Sequence, residues 1–277
     1  MMLITSLSII VFGGLALSAW RLLDHLADRA AMHRLLSMQP VQPACFDPRM
    51  TADLPEPARR YFLYTITPGT PLYQVAKISM TGRFGMGTMA NPRYLPMTAT
   101  QILAMPGGFI WKMRARRNFM TISGSDSECW TRFWLMGLLP VVRMGGDPGH
   151  TRSAFGRYVA EAVFWSPAAV LPGPGVAWEQ VDRDCARLIV RHQDLVQSVD
   201  VTVAPDGQPT RVCFDRWSNA NPEKQHRLQP FGGHLSEFHS FAGFRLPTHV
   251  EAGNHFGTDE YFPFFVADVT DVDFPND

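Results

Sequence analysis

Net charge is absent from this sequence: 25 basic residues face 25 acidic ones. That balance excludes the broad basic footprint by which a nucleic-acid binder is recognised. Lysine is almost missing, since only Lys77, Lys112 and Lys224 are present and arginine supplies the rest; genome composition explains such a bias as readily as chemistry does. Cysteine is sparse. Cys45, Cys129, Cys185 and Cys213 stand far apart with no CxxC pair, which argues against a structural zinc site and leaves any disulfide unspecified. Catalytic motifs are missing too. SGSDSE sets Ser125 and Ser127 beside Asp126 without forming G-x-S-x-G, and the glycine run GRFGMG is neither a P-loop nor a dinucleotide fingerprint. No internal repeat or low-complexity segment occurs.

The positive signals begin at the N-terminus. Residues 3–20, LITSLSIIVFGGLALSAW, form an uncharged run long enough for a membrane-spanning helix. Ala16 and Ser18 would suit signal cleavage, but no Lys or Arg precedes the run, and that favours a retained single-pass anchor. Arg21, Arg29 and Arg34 come after it, which by the positive-inside rule keeps the remainder cytoplasmic. A weakly charged single span can be read either way, so the side stays open. Leu22, Leu23, Leu26 and Ala30 then repeat at helical spacing, as an extension of the helix or a segment lying on the bilayer. Residues 1–38 are thus the anchor helix with its extension, proline-rich residues 39–53 a linker, and residues 54–277 the main domain.

That domain opens with a short helix, PEPARRYFLYTI, with Pro57 tolerated in the first turn. From Leu72 onward the apolar period becomes two. Phe109, Trp111, Met113 and Ala115 point one way, and Lys112, Arg114 and Arg116 the other. Val199, Val201 and Val203 alternate likewise before a Pro-Asp-Gly turn leading into Val212 and Phe214. At least eight strands joined by short turns imply antiparallel pairing. One strong internal helix, residues 151–165, interrupts them, with Ser166-Pro167 as a second N-cap and N1 pair. A helix about 10 Å wide cannot cover eight strands laid flat. The fold class expected is therefore mainly β (α+β): a curved antiparallel sheet, half-barrel or barrel, wrapping that helix, with Gly82, Gly85 and Gly87 permitting the bend.

Arg157 and Glu161, four apart on that helix, form the candidate charge pair. Arg before Glu is the weaker order for an exposed pair, so the spacing reads as a buried brace or a contact for a polar headgroup. A general acid or base role for Glu161 lacks an identified partner. The late histidines His226, His234, His239, His249 and His255, with Glu237 and Glu251, could gather metal ligands across a hairpin, yet HExxH is absent and the shared face is polar. No metal, cofactor or catalytic residue is assigned. Seven tryptophans, each needing an acceptor if buried, point to partial exposure to a hollow or to a bilayer surface, and a ligand-accommodating hollow is expected. Its walls are expected from Phe109, Trp111, Met113, Trp134, Tyr158, Trp165 and Trp178, with Arg157 and Glu161.

The words LPEPARRYF, TGRF, PMTATQILAMPGGFIWKMRA, RYVAEAVFWSPAAVL, VAW and FAGFRLPTHVE, in that order, resemble a bacterial family of unknown function, DUF6544 (formerly DUF6920). That resemblance implies no activity. More remotely, the SVDVTVAPDGQPTRVCF hairpin and the GFRLPTHVE strand are similar to the second half of LolA-like lipoprotein carriers, which implies a half-barrel with an apolar cavity for acyl chains. The expected anchor, the lack of a lipobox cysteine near residue 20 and a single strong internal helix depart from that pattern. The expectation is a membrane-anchored protein holding a lipid, acyl chain or other hydrophobic small molecule. The alternatives are a hydrolase-like or metal-dependent enzyme using Glu161 and the late His/Glu set, and a solid-core interaction module.

Overall fold

Proline marks the helix starts. In this computed structural model, which describes the backbone of residues 2–275 and the side chains of residues 11–275, α1 covers Met2–Leu36. Helix α2, Glu56–Thr65, comes directly after Pro55 and carries Pro57 in its first turn. Helix α3, Pro148–Trp165, starts three residues earlier than its apolar spacing suggests, because Asp147 caps it by accepting from the His150 amide at 3.0 Å and Pro148 occupies the first turn. Ser166 ends α3 but does not cap the short 3-10 turn at Pro167–Val170; its hydroxyl donates instead to the Gln74 carbonyl at 2.8 Å.

Among the described residues thirteen strands make one sheet. They are β1 (Val75–Thr88), β2 (Asn91–Ala104), β3 (Gly108–Arg117), β4 (Met120–Ser127), β5 (Trp130–Leu135) and β6 (Leu139–Gly145), then, after α3, β7 (Val176–Gln180), β8 (Cys185–His192), β9 (Leu195–Val203), β10 (Pro209–Ser218), β11 (Arg227–Phe241), β12 (Phe244–Asn254) and β13 (Phe262–Asp273). Two meanders run β1 to β6 and β7 to β13, and the first strand pairs with the last, Phe84 opposite Phe265. Every pairing is antiparallel and the edges β6 and β7 stay unpaired with each other, so the sheet is an open half-barrel and not a closed barrel. Laid flat at about 4.8 Å per strand it would spread to about 58 Å. Curling brings one face of nearly every strand onto α2 and α3 in a single core. Gly82 serves that bend: its φ is +150°, and a Cβ there would sit 2.1 Å from the Val266 carbonyl oxygen.

Helix α1 lies on the outer face. Ala31 and Leu35 pack against Val75, Ile102, Ala104 and Ile110 there, so the stretch after residue 20 rests on the sheet. Asp24 (5% exposed) and Asp28 (4%) are buried in this contact. Arg132 donates to both, at 3.1 and 2.7 Å, while Arg143 and the Trp134 indole reach Asp24 at 2.7 Å each. Burial works against the Asp24 charge, but the bonds from Arg143 and Trp134 outweigh it and hold the carboxyl below its ordinary range. No helix among the described residues is long and apolar enough to cross a membrane. Side chains 3–10, part of the expected span, lie outside the described residues, and the expectation of an anchor lies there with them. Residues 39–53 are laid against the domain: Asp47 caps a short 3-10 turn, Phe46 is 2% exposed and Thr51 is fully buried.

Candidate ligand-binding site

The alternation expected on β3 is observed. Phe109, Trp111, Met113 and Ala115 enter the inner core, and Ile110 and Lys112 face α1. Between the inner face and α3 lies a cavity of about 190 Å³. Its walls combine Trp111, Phe133, Phe164, Trp165 and Leu235 with a rim of half-buried Phe84, Phe231, Phe264 and Phe265. An apolar hollow of about 150 Å³ takes up benzene, so this one matches an aromatic ring or a short length of acyl chain.

Charge is concentrated on one side of the hollow. Arg157 donates from Nε to Glu161 Oε1 at 2.6 Å, from Nη1 to Asp126 Oδ2 at 2.5 Å and from Nη2 to Gln101 Oε1 at 3.4 Å. Gln101 Nε2 completes the ring by donating to Glu161 Oε2 at 2.5 Å, and the Thr131 hydroxyl covers Asp126 Oδ1. The guanidinium lies 4.5 Å from the Phe109 ring centre and 5.4 Å from that of Trp111. Burial opposes its charge, but Glu161 and Asp126 raise its pKa above the ordinary arginine value. Each carboxylate oxygen in this set has a donor.

Two kinds of donor in the same cavity are left over. Trp111 Nε1 and Trp165 Nε1 are buried with no acceptor among the described residues, in rings that are 3% and 0% exposed. A buried N–H without a partner costs about 1–3 kcal/mol, and both of these belong to rings that line the hollow. Arg216 is the second kind. It donates from Nε to Ser153 Oγ at 3.2 Å and lies 4.9 Å over Phe231, and among the described residues no carboxylate pairs with it. Desolvation first, and the neighbouring Arg157 second, push its pKa down to about 10, which leaves it charged at neutral pH.

The expected site residues divide. Trp111, Arg157, Glu161 and Trp165 line the cavity. Phe109 and Tyr158 form a layer behind it, their rings 6.1 Å apart, with the Tyr158 hydroxyl donating to the Pro106 carbonyl at 3.1 Å; Met113 is buried further along β3. Trp134 lies on the opposite face, against Asp24 and the Trp20 ring. Trp178 packs under α2 against Tyr61 and Phe62 and donates to the Val170 carbonyl at 2.9 Å. Arg216, Asp126 and Gln101 join the site unexpected, although the period-two runs Val212-Phe214-Arg216 and Ala99-Gln101-Leu103 place Arg216 and Gln101 on the inner face. Ser125, beside Asp126, turns outward and donates to Asp28 at 2.7 Å.

The late His/Glu set does not gather. His249 Nδ1 lies 2.7 Å from Asp268 and its Nε2 3.6 Å from Glu251. Glu237 has a positive φ of 56° but the register runs unshifted past it, Ser236 opposite His249 and Phe238 opposite Pro247. Among the described residues no group of three or more His, Cys, Asp or Glu is placed to hold a metal.

The fold and site define a class: an open antiparallel half-barrel whose inner face, closed by a helix, keeps an aromatic hollow beside a buried arginine. The chain belongs to DUF6544, a family of unknown function whose pattern covers residues 44–267. No curated protein matches it at a significant level. Among solved structures it is similar to a LolA superfamily protein from Nitrosomonas europaea, at 12% identity and TM-score 0.40 over 79% of this chain and 92% of that one. It is also similar to a putative outer membrane lipoprotein-sorting protein domain from Vibrio parahaemolyticus, at 10% identity and TM-score 0.35 over 72% and 85% of the two chains. These likenesses agree with the resemblance seen in the sequence and concern the fold alone.

Proposed function

We propose that this chain is a membrane-anchored binding protein that holds a hydrophobic ligand carrying one acceptor or anionic oxygen group. The observation that carries the reading is that two indoles with buried, unpartnered N–H groups, Trp111 and Trp165, line one apolar cavity with Arg216, which has no direct ion pair although Asp126 and Glu161 attract it. Aromatic walls supply non-directional affinity, and the few polar groups select and orient the ligand. The volume suits a ring or a chain end, so a longer lipid would extend past the phenylalanine rim. Arg157, Asp126, Glu161 and Gln101 satisfy one another and hold α3 over the hollow.

Brominated dodecanoate and dodecanol, titrated onto the full chain in nanodiscs while tryptophan quenching is read, test the proposal. The acid should quench more tightly than the alcohol. A charge-assisted hydrogen bond is worth about 1.5–3 kcal/mol, so Arg216→Gln should weaken the acid about 10- to 150-fold and leave the alcohol nearly unchanged. Trp165→Phe should weaken both. Absence of saturable quenching by either compound, with no lipid recovered by mass spectrometry of the purified protein, would overturn the reading.

A further inference from the structure

Neutral overall charge hides a local imbalance. In the first meander, the stretches 83–97, 112–124 and 132–146 contain no Asp or Glu at all, yet include Arg83, Arg93, Arg114, Arg116 and Arg117, besides Arg132 and Arg143, which pair with Asp24 and Asp28 of α1. Each stretch holds a hairpin turn, β1–β2, β3–β4 or β5–β6. Because consecutive turns of a meander alternate between its two ends, these three share one end. The other end carries the β2–β3 and β4–β5 turns, marked by Arg34 of α1, which donates to the Gly107 carbonyl at 3.2 Å and pairs with Glu128.

The tips at the first end are apolar and uncovered. Met89 is 57% exposed, Phe119 90%, Met120 58%, Met136 54%, Leu138 50% and Leu139 54%. Single exposed apolar residues are ordinary, but three adjoining tips of Phe, Met and Leu interleaved with arginine form a surface that water solvates poorly. Helix α1 emerges at this same end. Arg21 bonds Ser123 at 2.9 Å; nine residues of helix back from Arg21 advance about 13 Å, and four residues of strand from Ser123 to Phe119 advance about 13 Å. Phe12 is therefore about level with the tips, and Val11, Phe12 and Leu15 are exposed there.

We infer that the three hairpin ends form a docking surface for an anionic phospholipid bilayer, with the apolar tips entering the interfacial layer and the arginines meeting lipid phosphates. Charge complementarity selects this occupant: apolar tips flanked by arginine, in stretches of the first meander that hold no acid, match anionic headgroups over acyl chains, with Asp259 and Glu260 of the next hairpin bordering the β1–β2 tip. Continuity with the apolar run of α1 gives the same direction. The second meander has no such end, since its turns there include Glu223, Asp259 and Glu260. The inference goes beyond ligand binding and holds whether or not the cavity is ever filled.

Site-directed spin labelling of the full chain tests it, with Cys45, Cys129 and Cys213 replaced by Ser. Labels at Phe119→Cys and Leu138→Cys are compared with one at Asp206→Cys, in the exposed β9–β10 turn at the far end. In vesicles of equal parts phosphatidylcholine and phosphatidylglycerol, the tip labels should be shielded from a water-soluble nickel chelate and open to oxygen, while the Asp206→Cys label stays open to nickel. In phosphatidylcholine alone the shielding should weaken, and Arg114→Gln/Arg116→Gln/Arg117→Gln should lower it in mixed vesicles to that same level. Tip labels as open to nickel as the control would overturn the inference, as would shielding that the triple variant leaves intact. Spin–spin broadening at high lipid-to-protein ratio would assign the tips to a second copy of the chain and overturn it equally.

Discussion

Replacing Arg157 by methionine separates a buried brace from a solvated surface pair. The Arg157 side chain is 14% exposed, Asp126 18% and Glu161 12%, so its removal strands two largely buried carboxylates, each keeping one neutral donor, Thr131 or Gln101. Breaking a buried ion pair from one side costs about 3–5 kcal/mol, whereas an exposed pair is worth at most about 1 kcal/mol. In a domain of this size each kcal/mol moves Tm by about 2–4 °C, so the expected fall is about 6–20 °C. The triple variant Arg157→Met/Asp126→Asn/Glu161→Gln has no stranded charge and should recover most of that loss, because replacing a whole buried ionic set is far milder than removing one member. Thermal unfolding of the full chain in mild detergent, monitored by near-ultraviolet circular dichroism, reads both variants. A single-variant loss below about 1 kcal/mol, or a triple variant no more stable than the single one, would refute the brace.

On the outer face, Trp134→Phe removes a 2.7 Å bond to the buried Asp24 carboxylate and should cost about 1.5–3 kcal/mol; a loss under about 0.5 kcal/mol in urea unfolding would contradict the hydrogen-bond account. Gly82→Ala drives a Cβ into the Val266 carbonyl at 2.1 Å, so β1 must part from β13 and stability should fall by about 1–3 kcal/mol, with amide exchange quickening at Val266 and Ala267 and not at the far strands. Partial burial opposes the His249 charge, but Asp268 and Glu251 overcome it and raise its pKa above the ordinary histidine value. The stabilisation is therefore complete below the unfolded histidine pKa and is lost as pH rises through the higher folded one. The stability gap between the wild type and His249→Gln should narrow across that rise; a gap that widens toward alkaline pH would reverse the sign of the argument.

Periodicity made the inner face legible because a strand has only two sides. Phe109, Trp111 and Met113 on one side and Lys112, Arg114 and Arg116 on the other needed no partner to be assigned. The same rule misjudges a residue whose two faces are both covered. Trp134 looks like an inner indole, but α1 returns over the outer face and buries it beside Asp24. Nothing local in β5 signals that return, because the contact spans 110 residues. Arg216 was hidden differently: it ends an apolar run, and charge at a strand end reads as solvated until α3 is seen to lie across it. The hairpin ends were hidden by averaging, since a net charge of zero carries no information about where the acidic residues are missing.

Position along the strands links the cavity to those ends. Phe84 lies four residues before the end of β1 at Thr88, about 13 Å from the tip, and its partner Phe265 lies close to the start of β13 at Phe262. Phe264 shares that stretch, and Phe231 lies near the start of β11 at Arg227, which is the same end of the sheet because β11 and β13 run in one direction. The half-exposed rim therefore faces the end that carries the arginine-flanked tips, while the opposite end is covered by α2 against β7, β8, β9 and β12. With the tips in the headgroup layer, the mouth meets the interface and not bulk water. An acidic amphiphile would then reach Arg216 and the two indoles without exposing its chain to water, and the cost of hydrating that chain would be avoided at the step of entry. The two sites stay physically separable: neutralising Arg114, Arg116 and Arg117 should slow ligand uptake from vesicles while leaving equilibrium affinity nearly unchanged, and Arg216→Gln should do the converse. If both variants lowered affinity and rate together, the rim and the tips would have to be one surface, and the geometry argued from the strand registers would be wrong.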